Sequence, residues 1–398
     1  MVDAVLVDVV RTASGRGKAG GGLSGVHPAQ LLGTVIRAVV ERNGLDGSEV
    51  DDVIAGCVSQ CGDQAMNIAR TATLVAGLPE EVPATTVDRQ CGSSQQAVHF
   101  AAQAVMAGAY DVAIACGVES MSRVPMGSAN TGGEPLAPLA ARYPDGLVGQ
   151  GVSAELIAAR WKLTRGQLDE YAAASHERAA QATATGAFAR EIVPIEVTDA
   201  AGATRAHTVD ETIRAGTTAQ TLAGLRPSFR TDALAARHPE LSWQITPGNS
   251  SPLTDGASAA LIMSAERARA LGLTPRARFR GFAVTGSDPL LMLTGVIPAT
   301  ERVLRRAGLS VDDIDSFEVN EAFAPVPLVW AQEFNVDAAR LNPRGGAIAL
   351  GHPLGGSGTR LLATLLHHLE DTGGRFGLQT MCEGGGMANA TIIERLES

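Results

Sequence analysis

Apolar residues come in strand-length runs and in helical stripes that alternate along the chain. Val2 to Val10 is one such run and Asp111 to Gly117 is another. Between them, Ala29 to Asn43 puts Leu32, Val35, Ile36, Val39 and Val40 on one face of a 3.6-residue period, and Gly44 marks its end. Pro83 to Val87 reads as a further strand. Ser93 to Ala107 reads as a helix with alanine on most faces, which predicts a central, buried position. Strands alternating with helices predict an α/β architecture with parallel or mixed sheets.

The pattern repeats. Residues 39–57, VVERNGLDGSEVDDVIAGC, and residues 303–318, VLRRAGLSVDDIDSFE, each run through a helix end, Gly-Leu, a polar turn, Val-Asp-Asp and an apolar stretch. The separation is too long for a solenoid and predicts two related α/β halves. Residues 121–249 differ in texture, with many Gly, Pro, Thr and Arg residues and short amphipathic helices such as Ser153–Trp161 and Arg165–Thr185. They read as a large insertion, the kind of segment that carries ligand contacts on a rigid scaffold.

Composition narrows the classes. The 398 residues allow a large core in two to three domains, and 45% apolar with 19% charged residues excludes general disorder. A net charge of −10 argues against a general nucleic-acid or anionic-membrane surface. The longest apolar runs are too short for a membrane span. Met1-Val2-Asp3-Ala4 places no basic segment ahead of the first apolar stretch, so the reading is a cytoplasmic protein without a signal peptide. Cys57, Cys61, Cys91, Cys116 and Cys382 form an odd, scattered set that suits reduced thiols.

Four segments carry candidate chemistry. In Asp88-Arg89-Gln90-Cys91-Gly92-Ser93-Ser94-Gln95-Gln96, Cys91 stands at a helix N-terminus, where unpaired N–H groups and the dipole favour a thiolate. The alternative is an inert buried cysteine. In Gly345 to Gly358, His352 follows an apolar strand-like run between glycines, exposed at a tight turn stiffened by Pro353, as a base is presented to a thiol. The alternative is a loop histidine without a role. Cys382-Glu383-Gly384-Gly385-Gly386 pairs a thiol with glycines whose N–H groups can turn to a ligand oxygen, or is a glycine hairpin. Asn320-Glu321-Ala322-Phe323 ends a strand, and Asn320 is alternatively a helix N-cap.

Other patterns carry less. Gly15-Arg16-Gly17-Lys18-Ala19-Gly20 fits a dinucleotide fingerprint but opens no helix. Cys57 and Cys61 lack a matching ligand pair, so no metal site is expected. Cys116 and His99 are placed in the core, and His367-His368 on a solvated helix face.

Taken together, the four segments, with Thr246 to Gly256 and Val10-Arg11-Thr12-Ala13, resemble the thiolase family over nearly the whole chain. The resemblance implies an α/β thiolase fold: two related βαβαβ-type halves in a five-layer α-β-α-β-α arrangement with an inserted loop domain. Its boundaries fall at 1–120 for the first half (completed by about 250–273), 121–249 for the loop domain that holds coenzyme A, and 274–398 for the second half. It implies a homodimer or homotetramer, no permanently bound cofactor, no metal, and coenzyme A as substrate.

By the same likeness, Cys91 is the acyl-accepting nucleophile and His352 activates it. Asn320 fixes a water in a first oxyanion site, Cys382 is the acid/base, and the N–H groups of Cys91 and Gly384 form a second oxyanion hole. Arg214, Thr221, Leu225, Phe229, Ser251, Ala322 and Phe323 fall on coenzyme A positions. Arg226 and Arg230 make that stretch basic. The chain departs from the commoner pattern at Asp88, Ser94, Glu383, Ala388, Asn389 and Gly149-Gln150-Gly151; an apolar residue is usual at 383 and Gly-Val/Ile at 388–389. None removes a catalytic group.

The departures favour a degradative enzyme with a roomy acyl pocket, and Val87 to Gln96 is similar to actinobacterial thiolases of fatty-acid and steroid side-chain breakdown. The expected reaction is cleavage of a 3-ketoacyl-CoA by coenzyme A. The alternatives are acetoacetyl-CoA synthesis by Claisen condensation, a condensing enzyme of the acyl-carrier type, and a non-catalytic acyl-CoA or lipid-binding protein on the same scaffold.

Overall fold

The computed structural model describes residues 2–198 and 202–397. The first part of the chain forms β1 (Ala4–Thr12), β2 (Gly15–Arg16), α1 (Pro28–Glu41), β3 (Asp52–Gly56), α2 (Ile68–Ala76), β4 (Ala84–Val87), α3 (Ser93–Met106) and β5 (Val112–Ser120). A long excursion follows, with α4 (Gln150–Arg160), α5 (Arg165–Ala184), β6 (Ile192–Val193), β7 (Ile195–Thr198), β8 (Thr204–His207), α6 (Ala219–Ala223) and α7 (Asp232–Arg237). The chain returns through β9 (Thr254–Ser264), α8 (Ala265–Ala270), β10 (Ala277–Gly286), α9 (Val296–Ala307), β11 (Ser316–Val319), α10 (Pro325–Phe334), α11 (Ala347–Leu350), α12 (Ser357–Thr372), β12 (Phe376–Glu383) and β13 (Met387–Arg395).

The strands pair in the order β11-β12-β13-β10-β1-β9-β5-β3-β4. The order is one pattern used twice. In the first half β1 and β9 are antiparallel, β9 and β5 antiparallel, β5 and β3 parallel. In the second half β10 and β13 are antiparallel, β13 and β12 antiparallel, β12 and β11 parallel. The pairs Val5–Arg278 and Leu6–Ala277 join the halves. Each half runs from the end of α1 or α9 through Gly-Leu and a short 3-10 turn into β3 or β11. Gly44-Leu45 and Gly308-Leu309 coincide, but the two Val-Asp-Asp units do not, since Val50-Asp51-Asp52 follows its turn and Val311-Asp312-Asp313 forms it.

Register makes the equivalence residue by residue. Asp52 pairs with Ala113 and Gly56 with Gly117, while Ser316 pairs with Gly377 and Val319 with Thr380. Carried to the strand ends, Val118 corresponds to Cys382 and Glu119 to Glu383.

Helices α1 and α2 cover the outer face of the first half. Pro28 opens α1, and the His27 ring and Gln30 cap it reciprocally. Its buried Leu31, Leu32, Val35, Ile36 and Val39 each stabilise the fold by about 1.5–3 kcal/mol. Helices α9 and α10 cover the second half around Phe317 and Trp330. Helices α3 and α12 form the central layer between the two sheet halves, packed with Leu6, Ile262 and Ile393. They touch through glycine: a Cβ on Gly358 would stand 2.1 Å from the Gln95 backbone nitrogen. The five layers are therefore α-β-α-β-α.

Two sequence expectations change here. The run before His352 is the short helix α11, not a strand. Gly346 N donates to Ser175 Oγ and Ile348 N to a Glu321 carboxylate oxygen, so side chains rather than a neighbouring strand receive its N–H groups. His367 is fully buried rather than solvated, because α12 lies between two sheets and has no water-facing side there.

Candidate active site

Cys91 lies in the turn between β4 and α3. Gln90 takes φ +48°, which reverses the chain just ahead of the cysteine. Asp88 Oδ1 accepts the Gln90 N–H at 2.6 Å, and Ser93 Oγ donates to Gln90 O at 2.6 Å while accepting the Arg89 N–H at 2.9 Å. The sulfur accepts from Gln150 Nε2 at 4.0 Å, and the Gly384 and Cys91 N–H groups are close enough to favour its anion. Gln150 opens α4, so two helix N-termini converge on this atom.

The thiol is nonetheless pushed up to about 12. Burial is the main cause, the Glu383 carboxylate adds to it, and the three N–H donors only partly oppose it. Burial thus opposes the thiolate that the helix N-terminus favours. Removing a sulfur anion from water costs more than helix-end dipoles return. Cys91 rests as a thiol and needs a base.

His352 follows Gly351, whose φ of +83° turns the chain out of α11. Its expected exposure is not found; the residue is only 3% exposed, closed in by the turn leading to α12. Ser357 Oγ donates to Pro353 O at 2.9 Å and so offers a lone pair to His352 Nδ1 at 2.6 Å. That assigns the proton to Nδ1 and leaves Nε2 as the basic atom. Asn320 Nδ2 lies 3.4 Å from Nε2. Burial, followed by the Arg360 charge, pushes the imidazole down to about 3, so it is neutral at physiological pH.

Asn320 stands at the end of β11, its backbone N–H bonded to Thr380 O. It is no helix cap, since α10 opens five residues later at Pro325, with Ala324 in the cap position. Its side chain also donates to the Cys382 sulfur, and its buried Oδ1 has no protein partner. Cys382, at the end of β12, is fully buried. Burial raises its thiol first, then the nearby Cys91 and Glu383. Two cysteines almost 300 residues apart in the chain thus share one electrostatic environment, with Asn320 touching both His352 and Cys382.

The coenzyme A candidates divide. Phe229 and Phe323 meet edge to face at 5.9 Å, and a Cβ on Gly151 would stand 2.3 Å from the Phe229 ring. Ser251 N donates to Ala322 O at 3.0 Å, and Leu225 reaches Gly248. These five residues join the excursion to the Asn320 segment. Thr221 is exposed and caps α6 with Thr218, and Arg214 is exposed with its N–H on His176 Nδ1. Neither is drawn to the sulfur atoms.

Supporting residues were missed in the sequence. Glu119 accepts from Val58 N, Ser59 N, Gln64 Nε2 and Gly355 N, fastening the turn between His352 and α12. Glu321 accepts from Tyr171, Ser175, Asn342 and the Ile348 N–H, fastening the strand end that carries Asn320. Ser357 was visible five residues after His352. Gln150 stood out only within the Gly149-Gln150-Gly151 departure, with no role attached.

The thiolase N-terminal domain description fits residues 4–266 and the thiolase C-terminal domain description fits residues 273–395. The chain belongs to the thiolase family. This thiolase is 47% identical over 405 residues to the steroid 3-ketoacyl-CoA thiolase FadA6 of Mycobacterium tuberculosis, covering 100% of this chain and 95% of that one. It is 45% identical to the 3-ketoacyl-CoA thiolase of Aeromonas salmonicida, with 100% of both chains covered. The crystal structure of the Bacillus anthracis acetyl-CoA acetyltransferase superposes with TM-score 0.89 at 36% identity, covering 100% of this chain and 99% of that one. No helix among the described residues is long and apolar enough to cross a membrane.

Proposed function

We propose that this thiolase cleaves a 3-ketoacyl-CoA with coenzyme A, releasing acetyl-CoA and an acyl-CoA two carbons shorter. The observation that carries the reading is the meeting of Cys91, Cys382, Asn320 and a neutral, Nδ1-protonated His352 at one buried site.

His352 Nε2 takes the Cys91 proton and the sulfur attacks C3. The N–H groups of Cys91 and Gly384, close to the sulfur, hold the oxygen anion at C3. The C2–C3 bond breaks and its electron pair passes to C2 as an enolate, whose oxygen faces His352 and a water on Asn320. The Cys382 thiol gives C2 its proton, and acetyl-CoA leaves. Cys382 then deprotonates coenzyme A, whose sulfur attacks the Cys91 thioester. The Cys91–acyl bond breaks, the shortened acyl-CoA is freed, and the Cys91 sulfur takes back the proton held on His352. Each preorganised donor is worth on the order of 10²–10³ in rate. Separate thiols for covalent and proton-transfer work suit a ping-pong route.

The excursion 121–249 is the coenzyme A-holding insert in this reading, with Phe229, Phe323, Leu225, Ser251 and Ala322 along the pantetheine and Arg214 and Thr221 toward the nucleotide. The chain works in the cytoplasm as a homodimer or homotetramer. A cavity of about 550 Å³ lined by Tyr143, Leu147, Arg237 and Leu290, on the segment that leads into Gln150, supports room for an acyl group longer than acetyl. The name FadA6 at 47% identity supports a sterol-derived acyl group, and the longer-chain reaction is favoured over acetoacetyl-CoA synthesis.

Mass spectrometry of the protein after exposure to a 3-ketoacyl-CoA without free coenzyme A tests the mechanism. Acylation at Cys91 is the expected result; acylation elsewhere, or none, overturns it. A series of kcat/KM values over acetoacetyl-, long-chain, branched and steroid-side-chain 3-ketoacyl-CoA substrates ranks the acyl groups.

A further inference from the structure

Glu383 is fully buried beside both cysteines, and the mechanism gives it no task. Its counterpart in the first half shows what a carboxylate needs in such a place. Glu119 receives four hydrogen bonds from N–H groups, one of them from Gly355 in the turn before α12. Glu383 reaches the matching turn before α3: a Cβ on Gly92 would stand 1.9 Å from Glu383 Oε1. The neighbouring contacts match as well. Ser258 Oγ donates to Gly356 O at 2.6 Å in one half, and Asn389 Nδ2 donates to Gly92 O at 3.1 Å in the other. Yet neither oxygen of Glu383 has a partner.

The local count of donors and acceptors is unbalanced. Glu383 Oε1 and Oε2, Asn389 Oδ1 and Gln96 Oε1 are buried without partners, and Arg89 Nε is the unpartnered donor of the group. Gln96 lies one helical turn beyond Gly92 on the same face of α3. A carboxylate here adds two more acceptors to a place already short of donors. A carboxylic acid supplies a donor instead. Glu383 and Asn389 are both departures from the commoner thiolase pattern, and the fold brings them to one spot behind Cys91.

We propose that Glu383 is a positioning residue held as a neutral carboxylic acid, whose O–H ties the ends of β12 and β13 to the first turn of α3 and so keeps Cys91 aligned with the Gly384 N–H. Burial supports this by pushing the carboxyl up to about 9, with Arg89 opposing and Asp88 assisting. The charged and titratable groups facing it are Asp88, Arg89 and Cys91 from the turn and Cys382 on its own strand. β13 offers Met387, Asn389 and Thr391, none of which titrates. Ionisation of Glu383 places a negative charge beside both thiols and removes the tying proton, so the aligned site is lost on the alkaline side.

The proposal rests on the reading of Cys91 as nucleophile, and its test is read separately. The full-length protein and its E383Q and E383L variants are alkylated with iodoacetamide from about pH 6 to pH 10, with the adduct on the Cys91 peptide quantified by mass spectrometry. kcat and KM for a 3-ketoacyl-CoA are measured over the same range. E383Q keeps a neutral donor. It should match the wild-type alkylation profile below about pH 8, hold kcat within about 3-fold, and lose the alkaline fall in kcat/KM. E383L has no donor and should lower kcat by about 10-fold or more with little change in KM. A shift of the E383Q alkylation profile by about one unit or more to lower pH shows that Glu383 is charged and overturns the proposal. Wild-type kcat in E383L overturns it equally. If E383L does not fold, the E383Q profile alone decides. Absence of Cys91 acylation in the wild type sinks the thiolysis reading instead, and leaves the alkylation comparison intact.

Discussion

The two halves of this thiolase share strand order and register, yet only one supplies the loop that carries the nucleophile and only the other supplies Asn320, His352 and Cys382. At matched strand ends the first half has Val118 and Glu119, and the second has Cys382 and Glu383. Glu119 is saturated with N–H donors and Glu383 has none. A duplicated scaffold thus separates two jobs. One end became a clamp that fixes a turn of the opposite half, and the other became a reactive end whose polar groups are left unsatisfied. The difference teaches that the same strand-end carboxyl can be fully paired at a structural turn and left unpaired beside the reactive thiols.

The strongest break in this comparison is Cys91→Ser. It should lower thiolysis by at least about 10⁴-fold and abolish the trapped acyl-enzyme, with the far-ultraviolet circular dichroism spectrum unchanged. Next is the clamp. Glu119→Ala leaves four donors without their acceptor and should destabilise the fold by about 3–5 kcal/mol, read from urea unfolding, whereas Glu383→Gln should change it by less than about 1 kcal/mol. Equal losses would mean that the two carboxyl groups do the same work. Asn320→Ala should lower kcat by roughly 10²-fold with KM nearly unchanged. Ser357→Ala frees the His352 tautomer and should lower kcat by roughly 10-fold, with kcat/KM affected to the same degree.

The smallest effect concerns pH. Burial lowers His99 and His352 to about 3 and His176 and His368 to about 4. A histidine buried neutral binds fewer protons folded than unfolded, so its stabilising contribution is intact above the unfolded value of about 6.5 and declines as pH falls toward the folded one. Tm should therefore fall between pH 7 and pH 4 with a slope that His99→Phe reduces, while kcat/KM shows no inflection near pH 6 from His352.

Strands β1, β4 and β5, helices α1 and α3, the four chemical segments and the existence of two related halves were legible along the chain, while β9 was not. Each is a local pattern: an apolar period, an alanine-rich helix behind a cysteine turn, glycines around a histidine, a repeated helix end with Gly-Leu. The repeated Val-Asp-Asp itself falls three residues out of register between the halves. The register equivalence of Glu119 with Glu383 was not legible, nor were the burial of His352 and His367, the helical form of Ala347–Leu350, or the approach of Gln150 to Cys91. Those depend on what packs from elsewhere. Ala347–Leu350 suits a strand or a helix, and Glu321 and Ser175 decide between them by taking its N–H groups.

The amino-acid order alone determined which residues were able to do the chemistry, because a thiol, an imidazole and an amide carry their reactivity in covalent structure. Tertiary structure decided their state. Desolvation by the layers above and below made Cys91 a thiol and His352 neutral, and the central helices set which carboxylate found donors and which did not. Protonation and orientation are properties of surroundings, and the surroundings come from segments hundreds of residues away.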